Sequence, residues 1–365
     1  MKYLLVEKSK LTANLGRVRE RAGNARIIAV LKANGYGLGL IQMARFLQEQ
    51  GVRMFAVTEP SEARRLRQAG CVDEEILVLR STTSEQEIRE ILEVGATAAI
   101  GSYDAAVALN GVAEQMGMTC DVHIQINVGM GRYGFDPTEL DRVLSVYRFL
   151  PCLHVTGIFT HFPRAYQDKE ITARQCQVFL DTVQKLRDSG CEPGMIHAAN
   201  SAGLFYCDLP KMDGVRVGSA LTGRITAKGN FALQKTGRLV TQITELRWLT
   251  KGQSTGYGSV FTAKKPVRLA ILPVGTADGF MVEKGRDSFR LRDCIRYMLS
   301  DLLAFLRRRR RPYVMINGKR ARVVGHVGMN HTAVDVTNLT CAPGDRAELE
   351  VSPMFVPPQI TRQYE

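Results

Sequence analysis

A chain of 365 residues, 45% apolar and with 33 glycines, is long enough for one large barrel plus a smaller domain. No apolar run approaches the ~20 residues of a membrane span, and the opening Met1-Lys2-Tyr3-Leu4-Leu5-Val6 meets charge too soon for a signal peptide and reads as a strand. The net charge of +13 comes with no nucleic-acid module, so it is a surface property that also attracts anionic small molecules; eight cysteines without a Cys-x-x-Cys pair point to reduced thiols in a cytoplasm and away from disulfides or a metal site.

In chain order, Leu11, Leu15 and Val18 recur at helical spacing and predict a helix over 8–22, with Ser9 as its cap. The apolar, branched run 27–31 reads as a strand buried on both faces. Helices then alternate with short strands: helix 40–50, strand 54–57, helix 61–69, strand 75–79, helix 84–94, strand 96–100, helix 103–116, strand 120–126. The alternation continues with helix 137–149, strand 155–159, helix 172–189 and the apolar stretch 195–198. Such alternation calls for a parallel sheet, and about eight units in ~230 residues match a TIM-type (β/α)8 barrel. Ligand-facing residues then belong at the C-terminal strand ends, where Lys32, Arg132, His161 and Ser201 fall. From about Leu239 the period changes to strand alternation without intervening helices, which predicts a mainly β second domain. The boundary is placed at Gly237, giving domains 1–237 and 238–365.

Lys32 follows the buried strand directly, and Gly35, Gly37 and Gly39 break it. A lysine there loses hydration, which favours the neutral amine. That is the state that forms a Schiff base with a carbonyl cofactor such as pyridoxal phosphate. The glycines allow close backbone approach to a ligand, and Tyr36 offers a hydroxyl to a phosphate.

Lys32-Ala-Asn-Gly-Tyr36-Gly resembles the cofactor-lysine motif of the alanine racemase family, and the resemblance continues in order over most of the chain. Gly129-Met-Gly-Arg132, Thr160-His161-Phe162, His197-Ala-Ala-Asn200-Ser201 and Val215-Arg216-Val-Gly218 resemble its further barrel motifs. Gly256-Tyr257-Gly258, Gly328-Met329-Asn330 and Arg362-Gln-Tyr364 resemble those of its second domain. The resemblance implies a pyridoxal 5'-phosphate enzyme, an amino-acid racemase using two bases on opposite faces of the cofactor. Lys32 would serve the D-face proton and Tyr257 the L-face proton. Tyr36, His161, Asn200, Ser201, Arg216, Gly218 and Tyr364 would hold the cofactor, with Arg216 on the pyridine nitrogen and braced by His161. Arg132 and the Met329 backbone would take the substrate carboxylate. In the family the tyrosine comes from the partner chain, which implies a head-to-tail homodimer acting on a small amino acid.

Departures from the family pattern are Gln125 for a lysine supporting Arg132, Tyr166 for an acid, and Thr222 and Thr276 for tyrosines. Asn330 replaces an aspartate. Tyr166, Thr276 and Asn330 leave serine or a larger amino acid open beside alanine. Two rivals are a non-catalytic pyridoxal-phosphate carrier, which normally stops at the barrel, and a barrel-type decarboxylase, whose cysteine-based acid motif is not apparent. A last departure is 281–312, where Leu291, Ile295, Met298, Leu299, Leu302 and Leu306 predict an inserted amphipathic helix ahead of Arg307 through Arg311 and Pro312. Its apolar stripe either packs on its own β domain or modifies the active-site entrance or the dimer seam; a peripheral membrane helix is a third reading.

Overall fold

The computed structural model describes residues 2–285, 290–306 and 312–365. The chain divides into two compact units, Glu7–Thr236 and a second made of Met1–Val6 with Gly237–Glu365.

The first unit is a closed barrel of eight parallel strands. In order they are Arg26–Val30, Met54–Val57, Glu75–Val78, Thr97–Ile100, Cys120–Ile126, Leu153–Thr160, Met195–Asn200 and Gly214–Val217. The last pairs with the first, Arg216 opposite Ile28, and closes the ring. The strands are short and rich in Val, Ile and Ala because both faces are covered, by helices outside and by packed side chains inside. Ile28, Val30, Met54, Leu77, Ala99 and Phe159 form that interior. Amphipathic helices clad the barrel, among them Leu40–Glu49, Pro60–Gln68 and Lys169–Asp188. The closing strand, which carries Arg216, has no apolar run long enough to announce it in the sequence.

The second unit is a nine-stranded sheet. Tyr3–Val6 belongs here, which corrects its placement in the barrel. It pairs antiparallel with Arg238–Gln242 and parallel with Thr361–Tyr364, burying Leu4, Leu5 and Val6. A first strand without a following parallel partner has no place in a barrel that is already closed. Lys2 adds an ion pair to the buried Asp278 at 2.6 Å.

A helix forms inside the predicted insertion, at Leu291–Leu306. None of its residues is buried, so its apolar stripe does not pack on its own β domain. The basic run Arg307 through Arg311 lies outside the described residues. Among the described residues no helix is long and apolar enough to cross a membrane, and no group of His, Cys, Asp and Glu is placed to hold a metal ion.

Candidate active site

A cavity of about 410 Å³ opens in the barrel unit, lined by Lys32, Tyr36, Arg132, His161, Asn200, Ser201, Arg216 and Gly218, all eight of the barrel residues assigned from the sequence. They converge because each sits at or just beyond a strand end: Lys32 after Val30, His161 after Thr160, Ser201 after Asn200 and Gly218 after Val217.

The loop after the first strand is unusual. Ala33, Asn34, Gly35 and Tyr36 are consecutive left-handed residues, with φ of 53°, 56°, 63° and 53°. Three of the four carry a Cβ, at a cost of roughly 1–2 kcal/mol each. The turn is held by Gly35 N–H to Leu31 O at 2.7 Å and Gly37 N–H to Ala33 O at 3.0 Å. Asn34 also accepts from the Leu40 N–H at 3.0 Å, joining the turn to the next helix. Strain concentrated in one ligand-facing turn marks a conformation kept for function. Tyr36 lies against Gly218 so closely that a Cβ there would stand 2.3 Å from the ring.

Arg216 is buried and held by residues of the two preceding strands. Its Nη1 donates to His197 Nδ1 at 2.8 Å and to the His197 carbonyl at 3.0 Å. Its Nη2 donates to the carbonyls of Thr160 at 2.6 Å and Ala198 at 3.2 Å. The guanidinium also lies over the Phe159 ring at 4.9 Å. All four Nη hydrogens are thus given to protein acceptors, and Nε–H is the donor left. Burial pushes Arg216 down to about 9, which leaves it charged at neutral pH.

That bed fixes two tautomers. His197 Nδ1 accepts from a guanidinium, so a neutral His197 carries its proton on Nε2. Its Nε2 then donates to His123 Nδ1 at 2.8 Å, and His123 directs Nε2–H toward Glu75 Oε1 at 3.8 Å. Burial first, and then the Arg216 charge, hold both rings well toward the neutral form. The arginine's imidazole partner is therefore His197; for His161, the ring to which the sequence assigns the bracing, the cavity wall is its observed place.

Lys32 is half-buried, and its amine is held below its usual value by burial, then by the Arg132 charge, against the opposing pull of Glu62. Ser201 Oγ accepts from the N–H groups of Gly218 and Ala220, each at 3.2 Å. Asn200 accepts from the Gly203 N–H at 2.8 Å and donates to the Phe162 carbonyl at 3.3 Å, fixing the turn that presents Ser201. Arg132 stands on a loop shaped by Asn127 Oδ1, which accepts from the N–H groups of Gly129 and Gly131 at 3.1 and 3.0 Å. Tyr257, Met329 and Tyr364 belong to the β unit. Tyr257 opens a 3-10 turn and is 80% exposed, and Met329 is 71% exposed. Tyr364 is half-buried on the last strand, and burial raises its hydroxyl.

Family models match nearly the whole chain: "Alanine racemase, N-terminal domain" over residues 6–225 and "Alanine racemase, C-terminal domain" over 236–353. The chain belongs to the alanine racemase family. It is an enzyme, a racemase. It is 33% identical to an alanine racemase of Desulforamulus reducens over 89% of this chain and 83% of that one. It is also 33% identical to one of Methylacidiphilum infernorum over 95% and 82%. The solved alanine racemase of Clostridium difficile 630 has the same fold, with a TM-score of 0.86, 24% identity and coverage of 100% of this chain and 95% of that one.

Against this racemase framework, the lysine that supports Arg132 in the family pattern is replaced by Gln125. Gln125 is buried on the cavity wall, and its Oε1 has no hydrogen-bond partner, so it does not brace Arg132 through that oxygen. Arg80, on the same wall, is taken up by Glu87 and Glu59 at 2.8 Å each. Sequence reasoning missed the His123–His197 pair beneath Arg216. Its signal was present: His123 and Gln125 alternate inside a buried strand, and Gly157 on the next strand stands where a Cβ would lie 2.6 Å from the His123 ring.

Proposed function

We propose that this racemase interconverts the L and D forms of alanine, or of a related small amino acid such as serine, with pyridoxal 5'-phosphate in the barrel cavity. The observation that carries the reading is Lys32, whose amine is biased toward the neutral form by burial and by Arg132 on the wall of a 410 Å³ cavity. The donor set suits the cofactor. Arg216 retains Nε–H for a ring nitrogen, Gln125 Oε1 stands on the same wall as an unpaired acceptor, and Gly218, whose N–H is lent to Ser201 Oγ at 3.2 Å, has no side chain to strike Tyr36. Tyr36, Ser201 and the Gly218 N–H would hold the phosphate, with Tyr364 added by the family pattern; His161 and Asn200 would line the ring.

When bound, the cofactor supplies an electron sink that makes the substrate's Cα proton removable. Arg216 donates to the ring without surrendering its proton, which limits that sink and favours simple return of a proton to Cα. Lys32 Nζ takes or returns the proton on the D face. The Oη of the partner's Tyr257 does so on the L face, in a head-to-tail homodimer. The exposure of Tyr257, Val260 and Met329 supports that arrangement, because a second copy would cover them. Arg132 and the Met329 N–H orient the carboxylate. The non-catalytic carrier reading is set aside, because this chain has the family's second domain.

Borohydride reduction of the purified protein tests the proposal. The near-visible absorption of a lysine-linked cofactor should vanish, and the added mass should map to the Lys32 peptide. Racemisation of alanine and serine, followed by optical rotation, then ranks the substrates. A label on another lysine would refute the assignment.

A further inference from the structure

The helix Leu291–Leu306 is apolar on the side that meets water. Its large apolar side chains, among them Leu291, Ile295, Met298, Leu302, Phe305 and Leu306, range from 45% exposed at Ile295 to 79% at Phe305. With Leu299 and Leu303 they span about 160° of the circumference at 3.6 residues per turn. The less exposed positions, Asp293, Tyr297, Asp301 and Ala304, lie together on the opposite side. An apolar arc this wide calls for an occupant.

Charge selects it. Between positions 290 and 311 the sequence holds eight arginines and two aspartates, a surplus of six in a chain whose net charge is +13. Arg290, Arg292 and Arg296 lie on or beside the helix, Arg296 pairing with Asp293 at 3.1 Å; the other five arginines follow it in the sequence. Two copies of this segment brought face to face would set like charges against each other. A nucleic acid would take the arginines and leave the apolar arc in water. An anionic lipid surface satisfies both features at once: acyl chains receive the leucines and phenylalanine, and headgroups receive the arginines.

We propose that Leu291–Leu306 is a membrane-surface helix that docks the racemase on anionic lipid, lying in the headgroup layer rather than spanning it. The proposal does not depend on which amino acid the enzyme racemises.

Co-sedimentation of the full-length protein with phosphatidylcholine vesicles containing about one third phosphatidylglycerol, against pure phosphatidylcholine, tests it. Binding should be at least ~10-fold tighter to the anionic vesicles and should weaken as salt is raised. Leu302→Asp combined with Phe305→Asp changes only exposed positions and should abolish binding while leaving the far-ultraviolet spectrum and racemisation unchanged. Replacing 290–311 by a Gly-Ser link should also abolish binding and leave racemisation unchanged, with only the helical signal of Leu291–Leu306 lost. Several results would overturn the proposal: no vesicle binding, equal binding to neutral vesicles, or binding retained in both variants. So would a change of oligomeric state that only the variants lose, which assigns the face to a second copy. Retention of RNA in preference to vesicles assigns the arginines to nucleic acid and also overturns it.

Discussion

Acid is expected to destabilise the barrel before its carboxylates titrate. His123 and His197 are 1% and 0% exposed. Burial first, then the Arg216 charge, pushes His123 down to about 4 and His197 well below the ordinary imidazole value. Burial, then Arg216, Lys32 and Arg132, pushes His161 down to about 3. In the unfolded chain all three titrate near pH 6.5. From there down to about pH 4 the unfolded state binds more protons than the folded one, so stability is lost as pH falls. A ring that stays neutral while its unfolded counterpart protonates costs about 2 kcal/mol at pH 5 relative to pH 7.5. The buried pair therefore costs about 4 kcal/mol and His161 brings the sum to about 6, a large part of a typical total of about 5–15.

Glu87, Asp136 and Asp345 are all held below the usual carboxylate range, so their own contribution is lost only at lower pH and does not overlap this window. Urea unfolding followed by far-ultraviolet ellipticity, repeated from about pH 7.5 to about pH 5, reads the slope directly. His123→Asn lowers stability throughout by removing packing and the bond to His197, but it should also flatten the slope by about one third. Stability that is level across the window, or an unchanged slope in that variant, would refute the reasoning.

Two further outcomes are expected. Gly218→Ala places a Cβ 2.3 Å from Tyr36 Cε2 and 2.5 Å from its hydroxyl, so it should cost about 1–3 kcal/mol, read as a lower melting temperature. Adding Tyr36→Ala should remove most of that steric part, and a Gly218→Ala protein that melts like the parent would sink the contact. Tyr257→Phe, at an exposed position, should leave stability within about 0.5 kcal/mol and abolish racemisation, while solvent exchange of the D-enantiomer's Cα proton continues through Lys32. Equal loss of exchange from both enantiomers counts against two bases.

The barrel was legible because a buried strand and a cladding helix leave different periods in the sequence. The strand predicted over 120–126 forms at Cys120–Ile126, and that over 54–57 at Met54–Val57. Pairing partners were not legible, because period reports which face is buried and not which strand lies beside it. Tyr3–Val6 reads as a strand either way, and only the register with Val240 and Arg362 assigns it to the β sheet. The same limit hid the site's foundations. Lys32 and Arg216 stand in recognisable motifs, whereas His123 becomes meaningful only when Gly157, far along the chain, makes room for its ring. The left-handed turn was half-visible: glycines announced it at Gly35, but Ala33 and Asn34 adopt the same conformation without that signal.

The charge balance of the cavity joins its electrostatics to its chemistry. No acidic side chain is among the lining residues, which include Lys32, Arg80, Arg132 and Arg216. Arg80 is neutralised by Glu59 and Glu87. Lys32, Arg132 and Arg216 have no carboxylate within the lining, and the opposing influence on Lys32 comes from Glu62. Each remaining cation makes it harder for Lys32 to hold a proton, which favours the neutral amine. On the proposed function, the same surplus would draw in the cofactor's phosphate and the substrate's carboxylate, whose charges would relieve the repulsion. On that reading, anion arrival would raise the proton affinity of Lys32 at the point where a base is required to take a proton. A carboxylate introduced at Gln125, buried on this wall, would cancel both effects at once: it would favour the protonated form of Lys32 and repel the anions of the proposed reaction.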